Sequence, residues 1–381
     1  MRGTLSKKQT PVKFITRTSP VAVHFGALDT RLLQLKEGPT GWSVHCAETV
    51  DGSGPAHHTA IVETLLPRWK ELKLRGKDCL ASISGEKIAV SLVPVEPHNR
   101  ERMQQTLKET AMRSVADPEG VTYRYLPLSD GLKGSDGLSG DDGINVREEM
   151  LLLSVGQSEL RRCTTTLESL HLRPVSMEVS AFPLARTMQA MQSHVTSPWG
   201  FLHLGFHHSI FGIMLGGELR FMKPMQLTGE RLLTTLEKSL ARFEEPDSQA
   251  IANLLSGMQE EQEPVAKVNA ETVPQITLKA AGHATELLHT LRLEAEALAQ
   301  EVRACLRHFA DRHRGAKLHN LQLAGFGAAL PEVENALQNA LNFPTTIAKP
   351  FTTLGIKAPE SVLAEEHLWC IPLGLAMRAY V

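Results

Sequence analysis

Cysteine is scarce in this chain and has no pattern. Cys46, Cys79, Cys163, Cys305 and Cys370 are the five in 381 residues. The number is odd and no pair has C-x-x-C spacing, which argues against a disulfide framework or a structural zinc and for free thiols in a reducing compartment. No apolar run is long enough to span a bilayer, and no apolar segment follows the first positive charges as in a signal peptide. The expectation is a cytoplasmic protein that meets a membrane only through a partner. An excess of either charge is also missing. Forty Lys and Arg against 42 Asp and Glu leave a net charge of -2, so no global field attracts nucleic acid. The one basic run (Arg2, Lys7, Lys8, Lys13, Arg17) reads as a disordered tail over residues 1–17; weak attraction to an anionic surface is the sharper alternative. Walker-type loops, nucleophile elbows and paired catalytic carboxylates are absent from the sequence.

What is present is enough apolar residue, 42%, to bury sizeable cores, in a chain long enough for two lobes. Strand patterns at residues 21–25, 31–36 and 42–50 are joined by glycine turns and form a meander. A helical pattern over 56–72 follows, interrupted by Pro67, and its His57-His58 pair reads as solvated. Strands at 79–83 and 88–94 come next. A helix over 100–115 has Met103, Leu107 and Met112 on one side. A strand at 121–126 and its return at 150–155 flank a Gly/Asp/Ser-rich stretch, 129–145. The spacing there does not fit a calcium loop, and Asp-Gly pairs are ordinary turn formers. Helix 158–170, strand 175–179 and helix 182–192 close this part.

A second block then repeats the first. Strands at 201–204, 209–215 and 218–222 form another meander, with Gly216-Gly217 as the hairpin turn. Helix 228–243, a proline-interrupted acidic insert at 244–275, a long helix over 280–313 and strand 321–324 follow. Helix 331–341, strand 345–348 and a closing helical pattern over 361–380, interrupted by Pro372, end the chain. The two meanders open alike, Val-Ala-Val-His-Phe-Gly at 21–26 and Gly-Phe-Leu-His-Leu-Gly at 200–205. A repeat of this kind implies two related lobes facing a cleft. A glycine turn there lets backbone N–H groups approach a phosphate.

The segments 149–186, 218–232 (GELRFMKPMQL…), 321–331 (LQLAGFGAALP) and 373–381 (LGLAMRAYV), in this order and spacing, resemble the PilM-type actin-like proteins of type IV pilus assembly, relatives of FtsA. The resemblance implies an α/β, actin-like (ribonuclease H-like) duplicated two-lobe fold with a small inserted α+β subdomain. Its implied divisions are a lobe I core at 18–94, the subdomain at 95–195, lobe II at 196–360 and a C-terminal helix at 361–381 returning to lobe I. The nucleotide cleft of the family would map onto Gly26, Arg31, Gly205, Ser209, Glu230, Gly325 and Gly327.

The chain departs from the family where the chemistry should be. Each phosphate turn of the family begins Asp-x-Gly; here the turns are His24-Phe25-Gly26 and His203-Leu204-Gly205. Magnesium binds oxygen ligands and water, so imidazole replaces a carboxylate poorly. Phe206-His207-His208-Ser209 puts bulk where the family has small or hydroxylic residues, and Phe326 separates two glycines that would lie against adenosine. Asp29, as a stand-in for a missing aspartate, falls on the next strand. His24, His203, His207 and His208 could converge on zinc or copper, but core-facing and surface histidines explain the same residues and no metal is expected. No cofactor is expected, with room left for weak ATP binding without magnesium.

The resemblance therefore implies a cytoplasmic scaffold without catalytic residues, peripheral to the inner membrane. It would bind the cytoplasmic N-terminal tail of a bitopic, PilN-like membrane protein in a groove between lobe I and the inserted subdomain. The alternatives are an ATPase with a rearranged site and an FtsA-like polymer; homo-oligomers stay open.

Overall fold

The computed structural model describes residues 17–52, 57–83, 85–96, 99–117, 119–127, 148–240, 284–313, 315–330 and 332–378. The expected tail up to residue 16, the Asp-Gly-rich loop and the acidic insert lie outside these residues.

Strands β1 (Val21–Phe25), β2 (Asp29–Gly38) and β3 (Gly41–Asp51) form the first meander. Helix α1 (His57–Leu65) leads to β4 (Asp78–Ile83) and β5 (Ile88–Val95). Then come α2 (Arg100–Ser114), β6 (Val121–Pro127), β7 (Glu148–Gly156), α3 (Gln157–Ser169), β8 (Arg173–Val179) and α4 (Ala181–Met191). The second meander is β9 (Trp199–Leu204), β10 (Ser209–Leu215) and β11 (Glu218–Met225). Helices α5 (Gly229–Leu240) and α6 (Ala284–Arg312) follow it, then β12 (Leu321–Ala324), α7 (Val333–Leu341) and β13 (Thr345–Ile347). Short helices α8 (Pro350–Leu354), α9 (Glu360–Ala364) and α10 (Cys370–Met377) end the described chain.

The two large sheets have one topology. Their orders are β3-β2-β1-β4-β8 and β11-β10-β9-β12-β13. In each, the meander is antiparallel and the last two strands run parallel to the first. The repeat read in the sequence is thus a repeat of sheet order. Gly216 and Gly217 both have positive φ (61° and 82°), as a two-residue hairpin turn of matching twist requires.

Strand alternation places the cores. Val21, Val23 and Phe25 face a cluster with α1 and α3, while Ala22 faces the C-terminal segments with Leu33 and Leu35. In the second sheet Leu202 and Leu204 pack under α5, α6 and α7, while Trp199 and Phe201 point the other way, onto α4 and α10. Helices α4 and α10 therefore lie between the two sheets. Thr187 Oγ1 donates to the Cys370 carbonyl at 2.7 Å and Arg186 Nη1 to the Gly374 carbonyl at 2.6 Å. Only glycine fits at 374, where an added Cβ would lie 1.8 Å from the Pro183 carbonyl oxygen.

The third sheet, β5-β7-β6, is antiparallel and carries apolar side chains on both faces. Ile88, Leu151 and Leu153 join the lobe I core. Val93, Met150 and Leu152 alternate to the opposite side, against Leu107 and Ala111 of α2.

Three local expectations are corrected. Met112 is 63% exposed, because the buried stripe of α2 steps from Leu107 to Ala111, one residue earlier. Helix α1 stops at Leu65 rather than kinking at Pro67, and turns continue the path. The closing pattern is not one helix but α9, a 3₁₀ turn at Glu366–Leu368 and α10. Pro372 sits in the first turn of α10, where its missing N–H costs no helical bond.

Candidate functional site: the cleft between the lobes

The two glycine turns face one another. The N–H of Gly26 donates to the Asp29 carbonyl at 2.8 Å. The Gly205 turn is tighter, for a Cβ there would lie 2.3 Å from the His208 carbonyl oxygen. Across the cleft, the His208 ring occupies the space that a side chain at Gly85, just beyond β4, would need.

His24 and His203 are each the last residue but one of their strands, at equivalent positions. His24 Nδ1 is 2.8 Å from Ser82 Oγ on β4. Burial, with the Arg31 charge nearby, pushes the His24 imidazole down to about 3. Burial first, then His24 and His208, push His203 down to about 3 as well. Both rings are therefore neutral at physiological pH, and a neutral imidazole offers magnesium no carboxylate.

Arg31 is 6% exposed and is held from three sides. Its Nε donates to Asp29 Oδ2 at 2.8 Å, its Nη1 lies 3.6 Å from Glu365, and its guanidinium stands 5.0 Å over the Trp369 ring. This is a charge consumed by the protein's own carboxylates and a cation–π contact. Asp29 begins β2, and its carboxylate sits over the Gly26 turn, toward Arg31. Neither Glu365 nor Trp369 could be placed beside Arg31 from sequence; only the Asp29-x-Arg31 spacing, which puts both on one strand face, was a readable signal.

The second turn is filled by rings. Phe206 and Phe326 meet edge to face with centroids 5.6 Å apart, and a Cβ at Gly229 would touch the Phe326 ring at 2.7 Å. Gly325 has φ 84°, and its missing side chain makes room for the His203 ring and the Leu204 carbonyl. A Cβ at Gly327 would lie 2.9 Å from the Leu204 side chain. Ser209 is fully buried, and its hydroxyl has no hydrogen-bond partner. Glu230 is exposed and bonds His207 Nδ1 at 3.0 Å.

The N-terminus of α5 is the place where an anion would ordinarily sit. Here its first amides are in use. Gly229 N–H donates to the Gly205 carbonyl and Glu230 N–H to the Phe206 carbonyl, both at 2.9 Å. The Arg231 N–H donates to Thr228 Oγ1 at 3.3 Å. The turn that would cradle phosphate spends the helix's donors on itself.

The cleft histidines do not form one ligand set. Among the described residues the donors that converge are instead His58, Glu159 and Cys163 in lobe I. The His57-His58 pair is not solvated: His57 is 6% exposed with Nε2 2.9 Å from Thr30 Oγ1, and His58 Nδ1 is 2.8 Å from Thr166 Oγ1.

A second feature lies on the inserted sheet. Leu92 on β5 and Leu126 on β6 both stand opposite Leu151 of β7. Cross-strand partners share a face, so both point to the lobe I side, yet they are 48% and 41% exposed. Among the described residues β6 is an edge strand, with a shallow depression of about 710 Å³ along Val121–Tyr125.

Comparison with known proteins agrees with this geometry. The family model for type IV pilus assembly protein PilM matches residues 282–380. A solved PilM-PilN type IV pilus biogenesis complex is similar in structure, with TM-score 0.66 and 16% identity, over 95% of this chain and 99% of that one. More distant are the ethanolamine utilization protein EutJ from Carboxydothermus hydrogenoformans (TM-score 0.47, 11% identity, 95% of this chain and 89% of that one) and MreB 5 of Spiroplasma citri bound to AMPPNP (TM-score 0.43, 10% identity, 94% of each chain). No curated protein matches the chain. No helix among the described residues is long and apolar enough to cross a membrane. The fold is actin-like, and the chain resembles the PilM-type proteins of type IV pilus assembly, in sequence across residues 282–380 and in architecture across nearly its whole length.

Proposed function

We propose that this chain is a scaffold of type IV pilus assembly that binds the cytoplasmic N-terminal tail of a PilN-like, bitopic inner-membrane protein, and that its nucleotide cleft is retired. The observation that carries the second half is the donor count at α5: the amides of Gly229 and Glu230, which would meet a phosphate, are bonded to the carbonyls of the turn itself. His24 and His203 stand in place of carboxylates, Arg31 is committed to Asp29 and Glu365, Phe206 adds bulk at the phosphate turn, and Phe326 stands on the adenosine side. The first half rests on the likeness to a PilM-PilN complex and on the half-exposed Leu92 and Leu126. An extended tail can add its backbone to β6, an edge strand among the described residues, and seat an apolar side chain against Leu126.

Localisation follows from that contact: the chain is cytoplasmic and held at the inner membrane by its partner. Calorimetry tests both halves. A peptide of the partner's tail is expected to bind, and Leu126→Asp to weaken binding about tenfold, or about 1.4 kcal/mol. ATP with magnesium is expected to give no turnover. Micromolar, magnesium-dependent ATP binding with phosphate release that His24→Ala abolishes would replace this reading with a working ATPase.

A further inference from the structure

Helices α1 and α3 pack against each other in lobe I behind the first glycine turn, where the His58 ring lies 5.4 Å from that of Phe25. At their contact His58, Glu159 and Cys163 each direct one donor atom to a common point, all within 4.8 Å of one another. His58 Nε2 is 3.9 Å and Cys163 Sγ 4.0 Å from Glu159 Oε1. Glu159 and Cys163 are one helical turn apart on α3, so they share a face. Cys163 is fully buried, while Glu159 and His58 are partly buried and keep some contact with water.

The hydrogen bonds around the cluster fix which atoms are available. Thr166 Oγ1 donates its proton to the Arg162 carbonyl at 2.9 Å. Toward His58 Nδ1, at 2.8 Å, the same oxygen can then only accept. Nδ1 therefore carries the ring proton in the neutral imidazole, and the Nε2 lone pair faces the carboxylate and the sulfur. Arg162 holds the other oxygen of Glu159, Oε2, and leaves Oε1 to the cluster. The Cys163 thiol faces Glu159 Oε1 as a hydrogen-bond donor at 4.0 Å, and a metal ion can take the place of that proton between sulfur, carboxylate and imidazole. An outer hydrogen bond that orients a histidine through its other nitrogen is also how metal-bound histidines are held.

We propose that His58 Nε2, Glu159 Oε1 and Cys163 Sγ form a binding site for a zinc ion, with water as the fourth ligand. Nitrogen and sulfur donors with one carboxylate match zinc rather than magnesium or calcium. A tetrahedral zinc with bonds of about 2.0–2.3 Å holds its ligand atoms about 3.3–3.7 Å apart. The separations of 3.9 and 4.0 Å to Glu159 Oε1, with all three atoms inside 4.8 Å, are wider than that, and rotation of the side chains would have to draw them together. On binding, the Cys163 S–H bond breaks, its proton leaves to solvent, and the thiolate electron pair goes to the metal. The two positive charges of the ion are then balanced by the thiolate and the carboxylate. Such an ion would pin α1 to α3. Because α3 continues directly from β7, it would also anchor the inserted sheet to lobe I. No local pattern announces this site, since its ligands are not in zinc-finger spacing and meet only through packing.

The test uses the purified full chain, stripped with chelator and titrated with zinc, and in parallel with cobalt(II) as a spectroscopic probe. One zinc per chain is expected, with a zinc-dependent rise in melting temperature. Cobalt should produce a near-ultraviolet thiolate-to-metal charge-transfer band and the visible bands of a tetrahedral ion. Cys163→Ser should remove the charge-transfer band, His58→Gln should weaken metal binding at least tenfold, and Cys46→Ser should leave both unchanged. If Cys163→Ser does not fold, the wild-type stoichiometry together with His58→Gln decides. Absence of stoichiometric zinc in the wild type, or a cobalt band that survives in Cys163→Ser, overturns the proposal.

Discussion

The two lobes share a sheet order but not the chemistry at matching positions. Opposite His24, across β1 and β2, stands Arg31; opposite His203, across β9 and β10, stands Ile210. The parallel neighbour of His24 is Ser82, which bonds its ring, whereas that of His203 is Ala324, which cannot. Lobe I thus closes its side of the cleft with a charge cluster, and lobe II closes its side with rings and an isoleucine that belongs to the lobe I core. The comparison teaches that strand alternation and register maintain the duplicated fold, while the residues at the turns differ between the lobes. At the first turn the Gly26 amide is satisfied by the Asp29 carbonyl, whereas the second turn lends its Gly205 and Phe206 carbonyls to the first amides of α5.

Between the lobes, α4 and α10 belong to neither sheet, and the largest effect is expected there. Gly374→Val places a side chain against the Pro183 carbonyl and should destabilise the chain by about 3 kcal/mol or more, as overpacking of a rigid backbone contact does. Urea unfolding measures it, and an unchanged midpoint would mean that the helices can separate without loss.

Next is a pH effect common to both lobes. His24 and His203 are lowered to about 3 and His367, by burial and the Arg31 charge, to about 4, from an ordinary 6.5. Between those values the unfolded chain binds protons that the folded chain does not. Their neutral burial therefore favours the fold above about 6.5 and loses that advantage as pH falls toward 3. Urea midpoints at pH 7 and pH 4 should differ strongly, and His24→Gln or His203→Gln should flatten the difference. Equal slopes in the variants would show that other groups govern acid unfolding.

The lobe comparison is sharpened by paired substitutions. Arg31→Ala leaves Asp29 and Glu365 facing each other without a cation and should cost about 2 kcal/mol, less than a fully buried pair because Glu365 reaches solvent. Ile210→Val, at the equivalent position, should cost about 1 kcal/mol. If the two costs were equal, the charge cluster would be no more than a packing element. At the small end, His207→Ala removes a contact with exposed Glu230 and should change stability by no more than about 0.5 kcal/mol; a larger loss would give the second turn a structural weight that its exposure does not suggest.

Much of this architecture is written in local patterns. Two apolar strands ending in His-x-Gly, each followed by an antiparallel partner, announced a duplicated sheet, because a period of two residues needs no distant information. Where glycine must stand at the turns was legible for the same reason. The replacement of two aspartates by histidines was equally visible, and with it the expectation of a retired cleft. Packing decided the rest. Arg31 reads as a cation near a turn, and only the return of the C-terminal segment brings Glu365 and Trp369 against it. His57 and His58 look like polar residues at a helix start, yet His57 is buried against Thr30, and Thr166, far away in the chain, holds the partly buried His58. Cys163 shows no partner in its own neighbourhood beyond Glu159, and His58 reaches it only because α1 lies on α3. Alternation and turn chemistry are properties of a few consecutive residues, so the chain alone settles them. The environment of a charge or a donor atom depends on which surfaces meet, and that is settled only when the lobes have closed.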